Sequence, residues 1–157
     1  MNYRLFLPQF QYQRKYRSEL IDIIKPFYKG PDFSDEERKS MYGISEREII
    51  FMNKINQANV VLLPYSWNHY KQHSMINEAK SIVKQAAKYN KPVLSHLTGD
   101  YGVRVPSSSN LYVLRANGFR SKVNGRHLGK PVFFKHPARA FNEPEFEFAP
   151  LPKPDRP

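Results

Sequence analysis

The stretch Val60-Val61-Leu62-Leu63-Pro64-Tyr65-Ser66-Trp67-Asn68-His69-Tyr70, continued at Pro92-Val93-Leu94-Ser95-His96-Leu97-Thr98-Gly99-Asp100, decides the fold. Its first four residues are apolar without alternation, which is the pattern of a strand covered on both faces in a parallel sheet. Residues 65–70 mix aromatic and polar side chains and read as a loop. Residues 74–89 then put Met75, Ile76, Ala79, Ile82, Val83, Ala86 and Ala87 on one stripe, with Lys80, Lys84, Gln85 and Lys88 opposite. That is the period of an amphipathic helix. Asn90 suits a left-handed residue closing this helix, and Pro92 prevents its continuation. A second apolar run, 92–95, starts at once. The order is strand, loop, helix, strand, loop: one βαβ unit with a polar loop after each strand.

Outward from this unit, residues 3–7 read as a first strand ending at Pro8. Residues 18–25 read as a short helix with Leu20, Ile23, Ile24 and Phe27 at helical spacing, limited by Pro26. Ser45-Glu46-Arg47-Glu48 has the form of a capping box. It predicts a helix over 46–57 that buries Ile49, Ile50, Met52 and Ile55. Residues 111–114 form a further strand, 115–126 a basic segment with turns near Gly118 and Gly125, and 131–134 a last strand. Beyond them Pro137, Pro144, Pro150, Pro152, Pro154 and Pro157 accumulate without apolar periodicity, as in a linker or tail. Alternating strands and helices place the chain in the α/β class with a mainly parallel sheet of about 4–5 strands. The expected domain covers 1–136, and 137–157 is the Pro-rich linker or tail. In such sheets ligands sit outside the carboxyl ends of the strands. Three polar segments fall there: 65–70, 96–101 and 115–121.

The 157 residues suit one domain with a real core. There is no cysteine, so disulfides and thiolate metal sites are excluded. The first residues hold too short an apolar run for a signal peptide, and no stretch approaches the ~18 apolar residues of a membrane span. The expected address is the cytoplasm. The net charge of +11 is uneven: residues 101–142 carry eight Lys and Arg and no Asp or Glu. An acid-free basic block favours an anionic partner such as phosphate, an acidic glycan, anionic lipid or nucleic acid, or it is a solvated basic face.

Within the polar segments, Tyr65, Trp67 and Tyr70 could stack on sugar faces while Ser66 and Asn68 bond sugar hydroxyls. The alternative is that Trp67 and Tyr70 pack back onto the sheet edge. Asp100 could act as a general base towards a hydroxyl nucleophile, or cap its own turn beside Gly99. His96 is the rival base. His69 and His73 have the i, i+4 spacing of a zinc pair, which needs a helix and a third ligand. Pro64 and the loop composition read against a helix there, no HExxH occurs, and no metal site is expected. Arg115, Arg120, Lys122 and Ser121 could hold an anionic substituent, or stand as exposed charge. Neither GxxxxGK[ST] nor GxGxxG is present, so neither standard nucleotide loop is available.

The segment Ala58-Asn59-Val60-Val61-Leu62-Leu63-Pro64-Tyr65, then a helix, then Lys91-Pro92-Val93-Leu94-Ser95 and Thr98-Gly99-Asp100, resembles bacterial exostosin-like glycosyltransferases. So does Leu111-Tyr112-Val113-Leu114-Arg115 leading to Gly118-Phe119-Arg120-Ser121. The resemblance covers roughly residues 45–157. It implies a GT-B architecture, two Rossmann-like three-layer halves facing across a cleft, with this chain as the N-terminal, acceptor-side half. The nucleotide-sugar donor would bind a C-terminal half, and 137–157 would be the linker towards it. The chain then holds no cofactor of its own, and without the second half transfers no sugar.

The function expected on this basis is the acceptor-binding half of a transferase in polysaccharide biosynthesis. An acceptor hydroxyl attacks the anomeric carbon of the donor, with Asp100 or His96 as base. Tyr65, Trp67, Asn68 and Tyr70 contact acceptor sugar, and Arg115, Arg120 and Ser121 hold an acidic sugar or phosphate. The basic block could draw the protein to the inner face of the membrane, where lipid-linked acceptors reside. The alternative function is a non-catalytic basic α/β module for nucleic acid. In it, Tyr112, Phe119, Phe133 and Phe134 interleave with Arg115, Arg120, Lys122 and Lys135, although no RNP, KH or helix-turn-helix pattern is visible. A third is a flavodoxin-like protein holding a small anion.

Overall fold

Six strands join in one all-parallel sheet in the computed structural model, which describes residues 2–10, 12–28, 49–98, 103–115 and 126–129. They are β1 (Tyr3–Phe6), β2 (Ile49–Met52), β3 (Val60–Leu62), β4 (Val93–Leu97), β5 (Leu111–Arg115) and β6 (His127–Gly129). Their order is β2-β1-β3-β4-β5-β6. This is a Rossmann-like α/β arrangement, with the 2-1-3-4-5 order of doubly wound sheets extended by a sixth strand. Among the described residues, two α-helices accompany it: α1 (Trp67–Gln72) and α2 (Ile76–Lys88). No helix of the described residues is long and apolar enough to cross a membrane.

The central strands behave as their composition requires. Val61 and Leu62 of β3 are both fully buried, and so are Val93 and Ser95 of β4, with His96 1% exposed. Consecutive buried residues mean that both faces of these strands are covered. In α2, Ala79, Val83 and Ala86 form the buried stripe, while Lys80, Lys84 and Lys88 stay exposed. Asn90 has φ 52°, the left-handed conformation expected of it. The side-chain amide of Asn110 donates to the carbonyls of Val83 (3.2 Å) and Lys91 (3.0 Å), which ties the end of α2 to the entry of β5. Asn90→Val should cost about 1–2 kcal/mol, because a β-branched residue is strained at positive φ. Chemical denaturation of the variant checks this.

Residues 49–57 do not form the helix expected over 46–57. From Ile49 they make β2, an edge strand paired with β1 in the register Tyr3↔Ile49 to Phe6↔Met52, and only Ile55–Gln57 makes a 3-10 turn. The Ile49-Ile50-Phe51-Met52 run fits either period. β-branched and aromatic residues lose side-chain freedom in a helix, and β1 offers an edge that pairs with their backbone. The capping-box residues lie outside the described segments.

The expected helix 18–25 is instead two 3-10 segments, Arg14–Glu19 and Asp22–Tyr28. They part where Leu20 bridges Tyr65 and the Ile21 N–H donates to the Pro64 carbonyl at 2.9 Å. The sheet exceeds the expected 4–5 strands through β2 and through β6, which lies just beyond the basic segment 115–126 and before the expected strand 131–134. The expected strand 131–134 and the Pro-rich segment 137–157 lie outside the described residues.

Candidate functional site

Ser66 follows β3, Thr98 follows β4, and Glu19 ends the 3-10 segment after β1. All three belong to the carboxyl edge of the sheet, and their side chains meet. The Ser66 hydroxyl donates to Glu19 Oε2. The Thr98 hydroxyl lies 3.1 Å from the same oxygen and 3.2 Å from Ser66 Oγ. The backbone holds the arrangement, since the Ser66 N–H donates to the Glu19 carbonyl at 3.0 Å. Glu19 and Thr98 are half-buried. Glu19 Oε1 makes no hydrogen bond to the described residues. The result is a half-buried carboxylate with one oxygen gripped by two hydroxyls.

Ser66 has a second role that shapes the loop after β3. Its Oγ accepts the His69 N–H at 3.0 Å, so it is the N-cap of α1. Residues 67–72 are therefore a helix and not the expected loop; a serine cap satisfies an amide that would otherwise be unpaired. The helix brings His69 and His73 together, with ring centroids 4.3 Å apart, so the argument against a helix at this spacing fails. Tyr16 lies edge-on to both rings, at 4.8 and 4.9 Å, and Tyr65 stacks on His69 at 4.1 Å. Among the described residues no group of three or more His, Cys, Asp or Glu could hold a metal ion.

The same helix overturns the sugar-contact assignment of its aromatic residues. Trp67 is fully buried, and its indole N–H donates to Ser95 Oγ at 3.0 Å. Ser95 Oγ in turn donates to the Tyr112 carbonyl at 3.1 Å. The only tryptophan therefore fastens α1 to β4 and β5. Tyr65 and Tyr70 are each 3% exposed. The Tyr65 N–H donates to the Tyr70 hydroxyl at 3.5 Å, and burial pushes the Tyr70 phenol well above its ordinary pKa. Large rings beside a sheet edge gain more from burial than from solvent exposure. Asn68 is half-buried, and its Oδ1 accepts the Thr98 N–H at 3.2 Å, so it clamps the two loops together.

His96 sits inside β4, 1% exposed, so a base role towards an acceptor entering from solvent is not open to it. Arg115 ends β5 at the carboxyl edge, half-buried, and its charge contributes with burial to depressing the His127 pKa. Asp100, Arg120 and Ser121 lie outside the described residues. Glu19 was not a sequence candidate. It stands 47 positions before Ser66 and 79 before Thr98, and no spacing rule connects them.

His69 titrates below its ordinary pKa because burial, and then the neighbouring His73, disfavour its charged form, against a smaller opposing pull from Glu19. The unfolded chain then binds more protons than the folded one between the lowered value and about 6.5. Stability should therefore be complete above that window and fall as pH drops through it. His127 acts with the same sign, through burial and Arg115. Melting at about pH 5 should come at a lower temperature than at about pH 7.5, and His69→Phe should narrow the gap.

The chain matches no family model, no curated protein and no solved structure.

Proposed function

We propose that this chain is the acceptor-side half of a glycosyltransferase, which presents a glycan hydroxyl to a nucleotide-activated sugar held by a donor-side half. The observation that carries this reading is the Glu19–Ser66–Thr98 cluster at the carboxyl edge of a parallel sheet. Ligands of doubly wound sheets bind at that edge. The likeness of residues 58–65, 91–95, 98–100, 111–115 and 118–121 to exostosin-like glycosyltransferases supports the same class.

In this mechanism Glu19 takes the base role that the sequence offered to Asp100 or His96. The acceptor oxygen forms a bond to the anomeric carbon. The bond from that carbon to the donor phosphate breaks, and its electron pair leaves with the nucleotide. The acceptor proton passes to Glu19 Oε1. Ser66 and Thr98 keep Oε2 fixed, so the carboxylate need not reorganise during the reaction. Arg115, with Arg120 and Ser121 beyond it in the chain, would hold an acidic sugar or a phosphate. The cytoplasmic face of a membrane, where lipid-linked acceptors lie, is the proposed place of work.

The test is binding by the full chain. Oligosaccharides should bind, nucleotide sugars should not, and single-stranded oligonucleotides should bind weakly if at all. Tight oligonucleotide binding with a steep salt dependence, and none of glycans, would replace this reading with that of a nucleic-acid module.

A further inference from the structure

We propose that the open depression lined by Leu7, Pro8, Gln9, Phe10 and Tyr28, about 650 Å³ in volume, is a subsite for an uncharged pyranose ring of a glycan. The identity of the ligand rests on the sugar-transfer reading above; the site itself rests on place, lining and rigidity.

Its place comes from the topology. β1 lies between β2 and β3, and the chain runs from β1 to one neighbour and then crosses to the other. The crevice of a doubly wound sheet opens at such a switch point, beyond the carboxyl ends of the strands. Residues 7–10 are the first four after β1 ends at Phe6. The depression therefore occupies the position where the fold leaves room for a ligand, and its volume falls in the range of ligand pockets, about 300–1,000 Å³.

The lining selects the ligand. None of the five residues is charged, which disfavours an anionic ring in a chain otherwise rich in cations. Phe10 and Tyr28 offer aromatic surface, and the apolar C–H face of a pyranose complements it. The Gln9 amide and the Tyr28 hydroxyl can donate to and accept from ring hydroxyls.

The rings are also held before any ligand arrives. Phe10 lies 5.3 Å from Tyr28 and stands edge-on to Tyr65 at 5.2 Å, while Tyr12 lies 5.0 Å from Tyr28. A fixed platform loses little freedom on binding. Tyr65 then joins the depression to the carboxylate cluster. Phe10 packs on its ring, Ser66 is the next residue, and Leu20, beside Glu19, bridges to it. The ring bound in the depression would be a neighbour of the sugar that carries the reacting hydroxyl.

The experiment applies the full chain to an array of uncharged and uronic-acid-containing oligosaccharides, and measures affinities for the retained ones. Uncharged oligosaccharides should bind, and Phe10→Leu should weaken them at least tenfold without lowering the melting temperature by more than a few degrees. Gln9→Trp, at an exposed position, should fill the depression and block binding as well, and it decides the matter if Phe10→Leu fails to fold. Uncharged glycans that bind both variants as tightly as the parent would overturn the subsite and leave the sugar-transfer reading standing. Retention of acidic glycans alone would do the same. An array with no glycan retained would overturn both.

Discussion

Trp67→Ala should lower the free energy of unfolding by about 4 kcal/mol, within the range measured for truncating large buried aromatic residues. The ring is wholly inside the core, against Tyr70 at 6.1 Å between centroids, and it is among the largest fully buried side chains of the described residues. Truncation removes its apolar surface from the interior and leaves a cavity that α1 and β4 can only partly close. It also ends the donation to Ser95, whose oxygen helps to join β4 to the Tyr112 carbonyl of β5. Trp67→Phe should cost less, about 1–2 kcal/mol, because most of the volume remains while the hydrogen bond is lost. Urea titrations of the three proteins give the comparison. A tryptophan that stacked on a sugar from the protein surface would behave differently: its removal would abolish binding and barely change stability. A Trp67→Ala variant within about 0.5 kcal/mol of the parent would restore that reading.

If the chain is the proposed acceptor-side half, Glu19→Gln should reduce sugar transfer by about 10²–10⁴-fold once a donor-side half is supplied, with a much smaller change in acceptor KM. The amide is nearly the same size as the carboxylate. Its oxygen can still accept from Ser66 and Thr98, so the loops after β3 and β4 keep their fastening. What is lost is the ability to take a proton. The loss should fall on kcat with KM and stability little changed, which a purely structural contribution would not cause. The companion variant is Asp100→Asn. If it lowers kcat by that factor and Glu19→Gln leaves turnover near normal, the base is Asp100 and the Glu19 cluster only braces the edge of the sheet.

These two residues also mark where sequence patterns stop being informative. The apolar runs at 60–63 and 92–95 contain enough information to be read as doubly covered strands, because every position in them is buried whichever face it points to. The stripe of α2 and the left-handed Asn90 were equally legible, since helical period and capping depend on residues a few positions apart. Ser66 carried a local signal as well: a serine three residues before the amide that it caps announces α1. The aromatic composition of 65–70 obscured it.

Other features have no local signature. Ile49–Met52 satisfies the helical and the extended pattern alike, and pairing with β1, more than forty positions earlier, chose the strand. The direction of Trp67 was decided by Ser95, 28 positions on. Glu19 acquired its meaning only when the chain folded back and set it against Ser66 and Thr98. The sequence by itself determined the α/β class, the central βαβ unit and the polar segments that follow its strands at the carboxyl edge of the sheet. Tertiary structure decided which side chains stand at that edge. Periodicity and capping are set by neighbours within a turn or two, whereas the exposure of a side chain and its hydrogen-bond partners are set by segments that meet only after folding.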